Sequence, residues 1–84
     1  MKFLKFYADW CQPCKMLSTT LSGMDLPYQV QEVNIDEDRE AAIKYNVRGI
    51  PTLLLVDDDG KVVKTHVGMA TRQQITEKFC EGIS

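Results

Sequence analysis

Cys11 and Cys14 are separated by two residues in the run Trp10-Cys11-Gln12-Pro13-Cys14-Lys15, which follows a short apolar stretch and opens a helical pattern. Two thiols at this spacing form a dithiol that can cycle to a disulfide. A helix start supplies what such chemistry needs, because unpaired backbone N–H groups and the positive end of the dipole stabilise a thiolate. The i, i+3 spacing places both sulfurs on one helix face, within bridging reach. Pro13 suits the first turn, where its missing N–H would have no intrahelical partner. Cys11, nearest the helix start and solvent, is expected to be the attacking nucleophile. Cys14, one turn deeper, is expected to resolve the mixed disulfide. The same motif can be half of a zinc site, but that takes about four ligands. Cys80 and His66 remain, and neither stands at ligand spacing, so no metal is expected.

The elements that position the pair must come from a short chain. Its 84 residues imply one domain, 1–84, with a single modest core. The net charge of −2 and the lack of a basic cluster exclude a nucleic-acid surface. No apolar stretch approaches the roughly 20 residues that span a bilayer. The N-terminal run is interrupted by Lys5 and has neither a signal-peptide h-region nor a cleavage site, which reads as cytoplasmic. Three cysteines are an odd count and argue against a secreted disulfide scaffold.

Phe3 to Ala8 is apolar except at Lys5 and predicts a strand buried on both faces. Cys11 to about Gly23 predicts a helix with Met16, Leu17 and Leu21 as its apolar stripe. Tyr28 to Ile35 predicts a second strand. Asp36-Glu37-Asp38 opens a helix to about Tyr45, where acidic residues favour the dipole, with Ala41, Ala42 and Tyr45 on its apolar face. Val47 to Ile50 is a loop ending at Pro51. Thr52 to Val56 is a Leu-rich third strand. Asp57-Asp58-Asp59-Gly60 is a hairpin turn. It lacks the ligand spacing of a calcium loop. Lys61 to Val67 is a half-exposed fourth strand, ended by Gly68. Thr71 caps a last helix with Ile75, Phe79 and Ile83 as its stripe. The order β-α-β-α-β-β-α implies a four-stranded mixed α/β sheet flanked by three helices. Its first two strands are parallel through a right-handed crossover and its last two form an antiparallel hairpin.

Across nearly the whole chain, the sequence resembles the thioredoxin family. The residues that carry the resemblance are Trp10-Cys11-x-Pro13-Cys14-Lys15, Asn34-Ile35-Asp36, Val47-Arg48-Gly49-Ile50-Pro51-Thr52, Asp59-Gly60 and Val67-Gly68, in family order. A lone Cys-x-x-Cys is a weak signal; with the preceding Trp and the downstream Gly-Ile-Pro-Thr it is strong. The family's usual N-terminal strand and helix have no counterpart in this sequence. The resemblance implies a protein-disulfide reductase without a cofactor, whose redox group is the Cys11–Cys14 disulfide. It implies a monomeric electron carrier served by a thioredoxin reductase and acting on oxidised clients such as ribonucleotide reductase. It implies a cis peptide at Pro51, with the Ile50 backbone facing an extended client segment. Trp10, Gln12, Pro13 and Gly68 are expected beside the same surface. Two other readings remain open: glutathione-dependent chemistry of the glutaredoxin kind, which the short chain favours, and a non-catalytic binding subunit that keeps the fold.

Three positions depart from the family. Gln12 stands where Gly is usual, between the cysteines, where the dipeptide influences redox poise. Tyr7 stands where many members carry Trp. Lys5 replaces a buried Asp, and the family's partner Lys is matched by Glu32, so the pair is kept with its signs exchanged. The residues support such a pair on their own, since an unpaired buried ammonium is costly. Glu32 lies on the strand expected beside Lys5. The two groups should approach within roughly 4 Å and set a carboxylate as a proton relay to Cys14; the alternative reading has Lys5 snorkelling to the sheet edge and Glu32 solvated. Cys80 is expected to be a small buried apolar group and His66 a solvated residue on the outer strand.

Overall fold

A computed structural model of the chain describes residues 1–79 and the backbone of Cys80. The strands are β1 (Lys2–Tyr7), β2 (Val30–Asn34), β3 (Thr52–Val56) and β4 (Val62–Val67). The helices are α1 (Gln12–Ser22), α2 (Arg39–Lys44) and α3 (Arg72–Ile75), the last continued by a π-helical turn, Thr76–Cys80. The sheet order is β2-β1-β3-β4. β1 runs parallel to β2 and antiparallel to β3, and β3 and β4 form the antiparallel hairpin. The element order and the mixed four-stranded sheet are thioredoxin-like.

Residues 3–6 of β1 and all of β3 are buried, because these central strands are covered on both faces. On one face Phe3, Leu53 and Leu55 meet Leu17 and Leu21 of α1 and Ile75 and Phe79 of the C-terminal segment. The Phe3 and Phe79 rings meet edge to face at 5.5 Å. On the other face Leu4, Phe6, Val33, Leu54 and Val56 are flanked by Ala41 and Tyr45 of α2.

Several expected boundaries move. Met16 is 55% exposed and leaves the apolar stripe. The buried face of α1 is Cys14, Leu17 and Leu21, and Met16 points about 100° away from Leu17. β2 starts at Val30 rather than Tyr28. The acidic run 36–38 opens α2 only through Asp38, its N-cap, and lies outside the helix itself. Asn34 ties it into a turn by accepting from Asp36 N through its side chain and from Glu37 and Asp38 N through its carbonyl. Asp38 then caps α2 by accepting from Ala41 N at 3.1 Å. In the hairpin turn, Asp57 Oδ1 accepts from Asp59 N and Lys61 N, and Gly60 takes the φ of +83° that the turn requires. Thr71 forms a capping box with Gln74. His66 is half-buried, with Nε2 3.1 Å from the Met69 carbonyl, rather than solvated. Ile83 and the side chain of Cys80 lie outside the described residues.

Candidate active site

β1 ends at Tyr7, and the chain turns through Ala8 to Trp10 into α1. Cys11 is the N-cap. Its extended backbone (φ −93°, ψ 106°) aims its sulfur back over the first turn, where Sγ accepts from Cys14 N at 3.2 Å. A side-chain acceptor at this position satisfies a helix N–H that has no intrahelical partner. Here the acceptor is the reactive atom. The first turn of α1 contains no acidic residue to oppose negative charge on that sulfur. Cys11 and Cys14 are joined as a disulfide with their Cα atoms 5.3 Å apart. The expected exposure of Cys11 is not met: it is 4% exposed and Cys14 1%. In the disulfide both sulfurs belong to a small cluster with Ala8, flanked by Tyr7, Ile35 and Ile50.

The Ile50–Pro51 peptide is cis. Pro51 is buried at the start of β3, and its carbonyl accepts from Gly68 N at 2.8 Å. That bond brings the end of β4 beside the loop that precedes β3. Gly68 has φ +93°, and a Cβ placed there would meet nothing within 4 Å. The backbone conformation, not crowding within the chain, demands glycine at this position. Gln12 and Pro13 are exposed on the first turn of α1.

Trp10 is 68% exposed, and its Nε1 donates to Asp36 Oδ2 at 3.0 Å. This bond ties the loop before α1 to the turn after β2. Trp10, Ile35, Val47, Gly49 and Ile50 line an open, mostly apolar groove of about 340 Å³ next to the dithiol. Sequence reasoning singles out both Trp10 and Asp36 but misses the bond between them. It also misses Val47 and Ile35 as groove residues, since isolated apolar residues near loops carry no distinctive pattern.

Lys5 and Glu32 are directly opposite in the parallel register of β1 and β2. Lys5 Nζ donates to Glu32 Oε1 at 2.6 Å and to Ser18 Oγ, so the expected ion pair is present. Ser18 is not anticipated from the sequence, yet it stands four residues after Cys14 on the same helix face. Among the described residues no group of three or more His, Cys, Asp or Glu is placed to hold a metal, and no helix is long and apolar enough to cross a membrane.

The thioredoxin family model matches residues 2–81. The chain is 43% identical over 74 residues to a thioredoxin of Pseudomonas aeruginosa, covering 83% of this chain and 68% of that protein. It is 40% identical over 76 residues to a thioredoxin of Bacillus subtilis, covering 86% and 72%. Among solved structures, a mutant thioredoxin from Halobacterium salinarum superposes with a TM-score of 0.81 at 35% identity, over 89% of this chain and 67% of that one. Sequence and fold agree over most of the chain's length: it belongs to the thioredoxin family and is a thiol–disulfide oxidoreductase, a protein-disulfide reductase.

Proposed function

We propose that Cys11 is the nucleophile and Cys14 the resolving thiol of a cytoplasmic, monomeric electron carrier that works as one domain. The observation that carries this reading is the N–H of Cys14 directed at the Cys11 sulfur at a helix N-cap. In the reduced protein the same N–H stabilises a thiolate on Cys11. That thiolate attacks a client disulfide. One client sulfur bonds to Cys11 and the other leaves as a thiolate. Cys14 then attacks Cys11 Sγ, the ring disulfide closes, and the second client sulfur is released reduced. Gln12 and Pro13 lie between the cysteines in sequence, Ile50 packs against the pair, Pro51 follows it and is bonded to Gly68 N, and Trp10 walls the adjoining groove. Together they form the surface on which an extended client segment lies. The apolar lining of that groove and the family's general use of protein clients support a protein substrate. A thioredoxin reductase returns the electrons, and ribonucleotide reductase is a fitting client.

Insulin reduction tests the reading when run in parallel with a thioredoxin reductase and with glutathione as electron source. Turnover only with the flavoprotein supports it. Efficient turnover with glutathione favours glutaredoxin-like chemistry. Biological activity that survives replacement of both Cys11 and Cys14 by Ser supports a non-catalytic subunit.

A further inference from the structure

Lys5 is buried to 2% exposure, which is costly for an ammonium unless its protons are bonded. Its Nζ meets Ser18 Oγ and Glu32 Oε1 and lies 5.3 Å from the centroid of the Tyr7 ring. Ser18 follows Cys14 by four residues on α1, so the ammonium is bonded to the helix one turn along from Cys14. A cavity of about 230 Å³ joins the groups, with Cys14, Ser18, Lys5 and Glu32 in its walls. At about 30 Å³ per liquid water, that volume holds several waters. Glu32 stands on the edge strand with its side chain 57% exposed, so its carboxylate reaches both the cavity and bulk solvent.

We infer that Glu32 is the proton acceptor for Cys14 during resolution, and that Lys5 and Ser18 are the positioning residues that hold its carboxylate at the cavity. This rests on the reading of Cys14 as the resolving thiol. The other titratable groups in the cavity wall are Tyr7 and Asp9, at and just after the end of β1, and Lys15 on α1; Cys11 lies across the disulfide. Asp9 is the competing carboxylate, but it is exposed and enters no ion pair among the described residues. Glu32 alone is clamped to a buried cation.

In the mixed disulfide, Cys11 Sγ is bonded to a client sulfur and Cys14 is a thiol. The Cys14 proton passes through cavity water to a Glu32 oxygen. The nearby Lys5 charge favours the negative sulfur that remains. This sulfur attacks Cys11 Sγ. The Cys11–Cys14 bond forms, the bond to the client sulfur breaks, and the client leaves as a thiolate with the bonding pair. The client thiolate takes a proton from water, and Glu32 releases its own to bulk solvent. Two electrons have moved from the dithiol to the client.

The test mixes reduced protein rapidly with an aromatic disulfide that liberates a coloured thiolate at each step. The first release reports attack by Cys11 and the second reports resolution. Glu32→Gln keeps an acceptor oxygen for Lys5 but removes the base. It should leave the first release unchanged and slow the second about 100-fold at neutral pH, the low end of what a positioned base contributes. Glu32→Asp should restore part of the rate, and Asp9→Asn should change neither release. Lys5→Met, which frees the carboxylate, should also slow only the second release. A second release in Glu32→Gln as fast as wild type, or faster, overturns the proposal and leaves Glu32 as a counter-charge alone. Wild-type kinetics in Lys5→Met overturn the positioning role. The resolving role of Cys14 is checked separately: Cys14→Ser must abolish the second release, and if it does not, that reading is the one that fails.

Discussion

Removing the two ends of the Lys5–Glu32 pair should have unequal effects on stability. The charges are 2.6 Å apart. Coulomb attraction at that separation is about 6 kcal/mol at an effective dielectric near 20 and about 1.6 kcal/mol in bulk water. Burying the ammonium cancels several kcal/mol of such attraction. Glu32 is more than half exposed, so its side of the pair is screened and the water-like limit weighs heavily. In Glu32→Ala the ammonium stays buried with Ser18 as its remaining hydrogen-bond partner. The expected loss is about 2–3 kcal/mol, below the 3–5 of a fully buried pair. For a domain of this size that corresponds to a fall in Tm of about 10–20 °C. In Lys5→Met the buried charge is removed and the exposed carboxylate returns to water, so stability should stay within about 1 kcal/mol of wild type. Urea unfolding of the wild type, both single variants and the double variant gives the coupling directly. Glu32→Ala in the Lys5→Met background should cost nearly nothing. If Glu32→Ala costs less than about 0.5 kcal/mol, or costs the same in both backgrounds, the ion pair does not hold Lys5 inside and the reasoning fails.

Other consequences are more local. Limiting iodoacetamide on the reduced protein, followed by mass mapping, should label Cys11 before Cys14, since only the Cys11 sulfur sits at the helix cap; preferential labelling of Cys14 would reverse their roles. Gln12→Gly should shift the equilibrium with a glutathione redox buffer by less than about tenfold, or 30 mV for a two-electron couple, while insulin reduction persists, and an identical equilibrium constant would remove Gln12 from redox poise. Gly68→Ala should destabilise by about 1–2 kcal/mol through its positive φ alone, because the space around its Cβ is open. A thermal melt matching wild type would show that the backbone relaxes there. Phe79→Ala should cost about 3–5 kcal/mol, since its ring is fully buried against Phe3. Chemical denaturation measures it, and a loss under about 1 kcal/mol would place Phe79 outside the core.

Order and chemistry were legible in the sequence because they depend on local signals. The Cys11-Gln12-Pro13-Cys14 run names its own reaction, and its place between an apolar strand and an amphipathic helix names the sulfur at the helix start. The Leu-rich run 53–55 declares a central strand, Asp59-Gly60 a hairpin, and Thr71 a helix start, each through residues adjacent in the chain. The Lys5–Glu32 pair follows from the cost of a buried ammonium and the parallel neighbour that the β-α-β order demands. Other features required the tertiary structure, because they depend on elements that meet only after folding. The closed disulfide packs beneath Tyr7, Ile35 and Ile50, which buries Cys11 despite its place at a helix start. The indole of Trp10 finds Asp36 across two loops. Asn34 captures the acidic run 36–38 in a turn, although helix-dipole reasoning assigns that run to α2. Ser18 and the cavity under Cys14 arise only when α1 lies across the β1–β2 pair. A side chain's partner on its own helix or strand follows from periodicity, whereas its partner across the sheet is set by how layers pack, which one-dimensional spacing does not encode.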